Sequence, residues 1–375
     1  MATYEDLGVM RIVNADSRMT AIGGSLMPAP VIEAMAYAAK SHVSMFELQE
    51  KVGERIAALT RNEAAYVCGG AAAGIFLSIL SCMTGSDPRT IGRLLVARPV
   101  RHQVVVHRAH RIPYDPAVLL AGAELVDIGN VLQTFPWELE AAFSSETAAV
   151  FFVAGDHLRR GALSLAETVE IAHAHNVPVI VDAAAQLPPL DNLWHFTQHH
   201  GADLAIFSGG KDLRGPQSSG FIVGRADLIE ACRANGSPHQ RLARLAKIGK
   251  EEMLGLLAAV ELYMDEDQNA RMEHFERVVT GWVDQLSRID SAIPVVRDFP
   301  NEAGQPIPRA RIDLNPDATG LSANRIQAAL LRAEPAVAVA AECDRFIYLT
   351  PDTLEPGEES IVTTAVLEAL KERTS

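Results

Sequence analysis

Residues 177–186 read VPVIVDAAAQ, and this stretch decides the fold class. An unbroken β-branched run that ends in a carboxylate is typical of a buried parallel strand, here with Asp182 at its carboxyl end. Ligands of open α/β sheets bind outside those carboxyl ends. The stretch therefore predicts an α/β protein in which Asp182 faces a ligand site. The alternative is structural, with Asp182 capping the amino end of a following helix.

A lysine follows the next predicted strand. Residues 202–207 (ADLAIF) have the pattern of a buried strand, and residues 208–217 (SGGKDLRGPQ) form a turn that carries Lys211. A lysine at a fixed position can form a Schiff base with an aldehyde cofactor, usually pyridoxal phosphate (PLP). PLP also needs a carboxylate at its pyridine nitrogen, which Asp182 supplies. A lone loop lysine is more often a solvated charge, but the pair on two strands predicts a PLP site.

A phosphate-binding segment is predicted earlier in the chain. Residues 66–74 read YVCGGAAAG and lead into a helical run that includes residues 75–80. Small residues at a helix start allow backbone N–H groups to approach a phosphate, and the helix dipole favours the anion. The alternative is close helix packing through small side chains. As a dinucleotide fingerprint the segment is poor, because its glycines are misplaced.

The stretch from about Ile12 to Leu370 resembles the selenocysteine-synthase-like group of fold type I PLP enzymes. That group includes seryl-tRNA selenium transferases and D-glucosaminate-6-phosphate ammonia-lyase-like proteins. The resemblance rests on GGSLM (23–27), GGAAAG (69–74), VDAAAQLPP (181–189) and SGGKDLRGPQSSG (208–220). It implies Lys211 as the Schiff-base lysine and Asp182 as the partner of the pyridinium nitrogen. It also places the phosphate near Gly70, Ala71, Ala72 and Ser208.

The resemblance further implies a ring over the face of the cofactor. Within residues 104–111 (VVVHRAHR), His110 is the first candidate and His107 the second. His110 could also act as an acid or base, because the unperturbed pKa of histidine is about 6.5. Gln186 is expected near the phenolic oxygen of the cofactor. The alternatives are a surface histidine in a basic loop and an ordinary turn glutamine.

Two loop arginines, Arg18 and Arg159, are candidates for binding the substrate carboxylate. A guanidinium fork matches a carboxylate through two parallel hydrogen bonds, and solvated surface charge is the alternative. Fold type I enzymes often use a small-domain arginine here, but residues 336–340 read AVAVA instead. Because of this departure, the sequence does not identify the arginine that binds the substrate carboxylate or the substrate itself. Further possibilities are Arg309, Arg311 and Arg345.

Composition favours a cytoplasmic enzyme with a small-molecule substrate. The chain of 375 residues can form two domains, and its formal charge of −14 with no basic stripe argues against nucleic acid. Neither a signal peptide nor a membrane-length apolar run is visible. Four widely spaced cysteines indicate reduced thiols rather than a disulfide or metal framework, so no metal is expected. A homodimer or higher homo-oligomer is implied by the resemblance.

We predict a fold type I PLP-dependent transferase-like fold, with a mostly parallel sheet in a large domain and a small α+β C-terminal domain. The segments are an N-terminal arm and helix (1–45), the PLP-binding domain (46–249), and linking helices with the small domain (250–375). Residues 298–306 are expected to form a connection inside the small domain.

The predicted reaction is α,β-elimination of a small hydroxylated amino acid, of the ammonia-lyase type. Lys211 or His110 would remove the α-proton from the Schiff base, and the Asp182-stabilised pyridinium would accept electrons as a quinonoid. Racemisation or epimerisation, aldol cleavage and aminotransfer share these steps and stay open. The acidic composition disfavours tRNA-dependent selenium transfer, as does a chain that begins almost at the catalytic-domain pattern. The presence of both Lys211 and Asp182 disfavours a non-catalytic protein.

Overall fold

A computed structural model of the chain describes residues 2–371, which pack into two compact units. Among the described residues, unit 1 contains residues 2–24, 267–301 and 305–371. Unit 2 contains residues 25–266 and 302–304. The three-part division predicted from the sequence is a different partition of the chain and stays a prediction.

The strands of this part of the chain are β1 (Ile12–Ala15), β2 (Ala64–Cys68), β3 (Gln103–His107), β4 (Glu124–Ile128), β5 (Thr147–Val153), β6 (Val179–Asp182), β7 (Leu204–Ser208), β8 (Gly220–Gly224), β9 (Val295–Asp298), β10 (Arg309–Asp313), β11 (Ala336–Glu342) and β12 (Phe346–Leu349). The helices are α1 (Ala29–Ala38), α2 (Met45–Leu59), α3 (Ala71–Thr84), α4 (Pro88–Arg93), α5 (Asp115–Leu120), α6 (Pro136–Ala142), α7 (Asp156–Arg159), α8 (Leu165–Ala174), α9 (Asn192–Trp194), α10 (Ala226–Asn235), α11 (Lys250–Asp265), α12 (Gln268–Leu286), α13 (Pro316–Thr319), α14 (Ala323–Leu330) and α15 (Glu358–Lys371).

Unit 2 is built on a seven-stranded sheet in the order β2-β8-β7-β6-β5-β3-β4. Strands β3 to β7 pair in parallel, whereas β8 runs antiparallel to both of its neighbours. The interior parallel strands β5 and β6 are buried along their whole length. This burial explains the unbroken β-branched runs in the sequence, because helices cover a parallel sheet on both sides.

The connection from β5 to β6 sets the position of Asp182. Helix α8 begins with a capping box: the Ser164 hydroxyl accepts a hydrogen bond from the Glu167 N–H, and the Glu167 carboxylate accepts one from the Ser164 N–H. Hydrogen bonds that the carboxylate accepts from the Ser164 hydroxyl, at 2.6 Å, and from the Ser164 N–H lower the pKa of the Glu167 carboxyl. The box satisfies orphan donors at the helix start and fixes where α8 begins. The chain then returns through β6, which ends at Asp182.

Helices α1 and α11 pack together in unit 2. The Lys250 amino group donates to the Ala38 carbonyl at 2.9 Å. Gly255 allows the close approach, because a Cβ at that position would lie 2.7 Å from Met35 Cγ and 2.8 Å from Pro216 Cγ. Through Pro216, α11 also contacts the segment that follows Lys211.

Unit 1 contains a five-stranded sheet in the order β1-β11-β12-β10-β9. Strand β1 pairs in parallel with β11, and the other pairs are antiparallel. Its core is aliphatic apart from the buried Trp282, whose indole N–H donates to the Glu359 carbonyl at 3.1 Å. The apolar run 336–340 lies in β11. An interior strand explains why this run is alanine and valine rather than arginine.

The expectation for residues 298–306 is wrong in one respect. Glu302–Gly304 belong to unit 2, where the Asp156 and His157 N–H groups donate to the Ala303 and Glu302 carbonyls, both at 3.2 Å. The loop is therefore not confined to the small unit.

Among residues 2–371, no helix is long and apolar enough to cross a membrane.

Candidate active site

The carboxyl ends of neighbouring strands bring most of the predicted residues to one edge of the unit 2 sheet. Asp182 at the end of β6 pairs with Val153 of β5 and Ile206 of β7. Ser208 at the end of β7 pairs with Gly220, which also pairs with the last residue of β2. Because paired strands lie about 4.8 Å apart, the ends of β5, β6, β7 and β2 form one continuous rim.

Asp182 is a buried carboxyl group, only 6% exposed. Its Oδ1 accepts a hydrogen bond from the Ala184 N–H at 3.0 Å. Burial raises the pKa of Asp182, while that hydrogen bond and the positive charge of Lys211 lower it in part. The segment after Asp182 forms turns, and the next helix begins only at Asn192. Asp182 is therefore not a helix cap but a buried acid that faces a positive charge.

Lys211 lies on a tightly closed turn after β7. The Arg214 N–H donates to the Lys211 carbonyl at 3.0 Å, and the Gly215 N–H donates to the Gly209 carbonyl at 2.8 Å. Side chains do not fit at the two preceding glycines. A Cβ at Gly209 would lie 2.1 Å from the Ser219 hydroxyl oxygen, and one at Gly210 would lie 2.5 Å from the Cα of Gln217. The glycines therefore make the turn compact enough to fix the backbone of Lys211.

The predicted phosphate cup lies at the start of α3. Gly70 precedes the helix with φ of 104°, a conformation that favours glycine, and no side chain caps the helix start. A Cβ at Gly220 would lie 2.8 Å from the Gly70 carbonyl carbon and 3.0 Å from the Ala71 nitrogen, so β8 backs the cup closely. The 14-residue helix has no acidic residue in its first turn. Its N–H groups and dipole therefore suit an anion.

His110 and His107 form a buried aromatic group with Phe152. The His110 ring lies 4.5 Å from the Phe152 ring and 4.9 Å from the His107 ring. Nδ1 of His110 accepts a hydrogen bond from the Val153 N–H at 3.3 Å, which links it to the strand that pairs with Asp182. Burial lowers the pKa of His110 to about 3 and that of His107 to about 4. Both rings are therefore neutral at physiological pH.

The remaining predicted residues are less closely tied to this rim. The Gln186 amide nitrogen donates to the Ala185 and Ala303 carbonyls at 3.2 and 3.3 Å. Arg159 is exposed and pairs with Asp156 at 3.2 Å. Arg18 lies in unit 1, where it forms a buried ion pair with Asp352 at 2.6 Å. The roles of Gln186, Arg159 and Arg18 stay predictions.

Sequence patterns gave no role to Ser25. Its hydroxyl donates to the Lys211 carbonyl at 2.7 Å, and its N–H donates to the Gly210 carbonyl at 3.2 Å. The motif GGSLM identified the segment, but contacts 186 residues apart leave no periodicity that would reveal them.

Comparison with known proteins decides the family. The L-seryl-tRNA selenium transferase family model matches residues 18–289. The chain belongs to this family. It is 32% identical over 372 residues to D-glucosaminate-6-phosphate ammonia lyase of Salmonella typhimurium, with 97% of each chain covered. It is 35% identical over 374 residues to 5'-C-glycyluridine monooxygenase-decarboxylase of a Streptomyces species, with 96% of this chain and 90% of the relative covered.

A solved structure gives the same result. The structure of a D-glucosaminate-6-phosphate ammonia-lyase superposes with a TM-score of 0.86 at 31% identity and covers 100% of both chains. The predicted family, the fold type I architecture and the PLP cofactor are confirmed by these similarities. The chain is a PLP-dependent enzyme, and its ammonia-lyase relative supports the predicted lyase class.

The chemistry of the rim fits PLP. Phosphate requires N–H donors at a positive helix end, which the start of α3 supplies. A protonated pyridine requires a carboxylate, and Asp182 is a buried one beside the charge of Lys211. The cofactor aldehyde requires an amine, and Lys211 carries one on a rigid turn.

Proposed function

We propose that this enzyme eliminates water from a small hydroxylated amino acid and releases a keto acid and ammonia. One observation carries the proposal. The positive charge of Lys211, on the turn after the next strand, partly offsets the rise in pKa that burial causes at the Asp182 carboxyl, and both residues lie at the ligand edge of the sheet. A relative named for D-glucosaminate-6-phosphate, itself a hydroxylated amino acid, supports the substrate class. In the balanced reaction, the α-proton and the β-hydroxyl leave as water, and one water is taken up when ammonia is released.

The residues divide the work according to their surroundings. When bound, PLP supplies an electron sink for the substrate α-carbon. The Asp182 carboxylate holds a proton on the pyridine nitrogen. The N–H groups at Gly70, Ala71 and Ala72 bind the phosphate, with the Ser208 hydroxyl as a further donor. Lys211 links the resting cofactor through its Nζ, and this amine then takes the proton from the substrate α-carbon.

His110 is better suited to packing than to proton transfer. A general base works best with a pKa near the operating pH, and the pKa of His110 is lowered to about 3. Its Nδ1 already accepts the Val153 N–H. We therefore assign its ring to the face of the cofactor and assign the proton to Lys211. Gln186 is proposed as an accessory contact of the cofactor and Arg159 as a contact of the substrate carboxylate, while the role of Arg18, which is paired with Asp352, stays a prediction.

A second candidate is oxidative decarboxylation of an amino acid, as in the name of the Streptomyces relative. That relative shares a higher identity, 35% against 32%. Electron withdrawal at the α-carbon serves both reactions, so the residues on the rim do not separate them. Oxygen uptake does separate them, because elimination consumes none.

The test combines the site and the reaction. The purified enzyme is treated with borohydride, and the modified lysine is mapped by mass spectrometry in the wild type and in Lys211→Ala. We expect reduced cofactor on Lys211 and no visible absorption band of lysine-linked cofactor in the variant. Modification of another lysine would contradict the assignment. A panel of hydroxylated and phosphorylated amino acids is then assayed for keto acid, ammonia, carbon dioxide and oxygen uptake, and oxygen uptake with carbon dioxide would favour the second candidate.

We also propose that the enzyme is a cytoplasmic homo-oligomer with no nucleic-acid partner. Large apolar side chains are exposed in unit 2, including Leu26, Ile32, Tyr37 and Phe46, and a self-association surface would cover them. Four free cysteines support a reducing compartment. Light scattering after size exclusion tests the oligomer, and a monomer at micromolar concentration would contradict it.

A further inference from the structure

Ser25 contacts the backbone on both sides of the Lys211 Cα. Its N–H donates to the Gly210 carbonyl at 3.2 Å, and its hydroxyl donates to the Lys211 carbonyl at 2.7 Å. The Gly210 carbonyl belongs to the peptide plane before Lys211, and the Lys211 carbonyl belongs to the plane after it. Because peptide groups are planar, holding both planes fixes the φ and ψ angles of Lys211 and the direction of its Cα–Cβ bond.

The structure shows different support for the two carbonyl groups. The Lys211 carbonyl also accepts the Arg214 N–H at 3.0 Å, so the later plane has support from within the turn. For the Gly210 carbonyl, Ser25 is the partner that the structure shows. Gly210 itself is a residue of high backbone freedom. A hydrogen bond from outside the turn therefore restricts the most flexible point next to Lys211.

Ser25 is itself held firmly enough to serve this purpose. It lies four residues before α1, and α1 packs on α11 through the close contact of Met35 with Gly255. Helix α11 also packs closely against the Lys211 turn, since a Cβ at Gly209 would lie 2.6 Å from Leu256 Cδ1. Two packed helices thus support Ser25 and the Lys211 turn together.

We propose that Ser25 is a positioning residue for Lys211: its two hydrogen bonds fix the Lys211 backbone, so that only the lysine side chain moves between the cofactor and the substrate α-carbon. This inference rests on the proposed role of Lys211. Lys211 must be well placed in two situations, linked to the cofactor and free to carry a proton. A fixed Cα–Cβ bond keeps the amine within reach in both, at little entropic cost.

The test compares Ser25→Ala with Ser25→Thr, which keeps the hydroxyl, and with Ser144→Ala as a control. The Ser144 hydroxyl donates to Gln103 at 3.1 Å. Gln103 is the first residue of β3 and Ser144 precedes β5, so this hydrogen bond lies at the opposite edge of the sheet. Two properties are measured in each protein. One is hydrogen exchange of the peptide covering residues 208–217 in the cofactor-free form. The other is the rate at which hydroxylamine releases the lysine-linked cofactor from the loaded form.

We expect Ser25→Ala to change exchange and release by about 5-fold, the size of one net hydrogen bond, with Ser25→Thr and Ser144→Ala within about 2-fold of the wild type. Unchanged exchange and release in Ser25→Ala would overturn the inference. Faster exchange with unchanged release would also overturn it, because Ser25 would then be merely structural.

If Ser25→Ala does not fold, Ser25→Cys, a weak donor of similar size, takes its place. Retention of lysine-linked cofactor in Lys211→Ala would instead show that the proposed role of Lys211 is wrong, while the exchange result would still stand.

Discussion

Asp203 and Asp182 are buried at opposite edges of the unit 2 sheet, and their carboxyl groups have opposite surroundings. At the amino edge, Asp203 is 2% exposed and accepts hydrogen bonds from Arg225 at 2.7 Å, His173 at 2.9 Å and the Val179 N–H at 2.7 Å. At the carboxyl edge, Asp182 is 6% exposed and accepts one bond, from the Ala184 N–H. The two carboxyl groups are similarly buried, but Asp203 is hydrogen-bonded to a guanidinium, whereas Asp182 has only the nearby charge of Lys211.

The difference separates a structural acid from a functional one. A buried carboxylate is costly unless charged or polar partners compensate it. The protein supplies those partners for Asp203 from its own side chains. For Asp182 the protein does not offset the cost of burying a negative charge, and burial therefore raises the pKa of this carboxyl. A cationic ring nitrogen is the ligand group that would remove the cost.

The largest expected effect is on catalysis at the carboxyl edge. Asp182→Asn removes the charge that holds the ring proton, so we expect kcat/KM to fall by about 10²–10³-fold, the cost of removing one preorganised electrostatic contact. The stability of the cofactor-free protein should change little, because the lost charge was uncompensated. Product release and urea unfolding measure the two effects. Full activity in this variant would erase the distinction between the aspartates.

The next effect is on stability at the amino edge. Asp203→Ala leaves His173 and the Val179 N–H without this acceptor and removes one of the two carboxylates that pair with Arg225, so we expect the free energy of unfolding to fall by roughly 2–4 kcal/mol. This value lies below the usual loss for a fully buried pair, because the Arg225 side chain is 48% exposed. Asp227→Ala is the matched control, since Asp227 is the exposed partner of the same arginine and should cost below about 1 kcal/mol. Equal losses in the two variants would contradict the structural role of Asp203.

The smallest effect is a pH dependence that belongs to the carboxyl edge. The pKa values of His107 and His110 are lowered to about 4 and about 3 in the folded protein, against about 6.5 when unfolded. The unfolded chain therefore binds protons first, so the stability from these rings is complete above about pH 6.5 and is lost as the pH falls toward about 4 for His107 and about 3 for His110. His107→Phe should reduce this acid loss by roughly 1–2 kcal/mol. Urea unfolding at about pH 7.5 and about pH 4.5 measures it, with the exposed His42→Phe as control; an equal change in both variants would refute the assignment.

The sequence predicted those parts of the site that lie at the ends of regular elements. Asp182 and Lys211 follow apolar strands, so their place at the carboxyl edge could be inferred from strand direction alone. The glycine-rich helix start could be inferred for the same reason. The antiparallel strand β8 could not, because its residues 220–224 (GFIVG) are apolar on both faces, as a parallel strand would be.

Contacts between distant parts of the chain were also beyond the sequence patterns. Ser25 reaches Lys211 across 186 residues, and Ala303 reaches Gln186 across 117 residues. Both involve backbone carbonyl groups, which every residue carries and which leave no trace in composition. The ion pair of Arg18 with Asp352 joins two side chains, but it spans 334 residues and no local pattern reveals it. Loops that complete a site from afar therefore require a structure.

The pairing of β1 with β11 has a consequence for synthesis of the chain. Strand β1 leaves the ribosome long before its partners are made: the Thr353 hydroxyl donates to the Asn14 carbonyl across 339 residues. At about 5–20 residues per second, β1 waits roughly 17–70 s with its backbone unpaired. Its short length of four residues limits the exposed edge during that interval. The sheet of unit 1 therefore closes only after β11 has been made, when β1 joins strands that are synthesised much later.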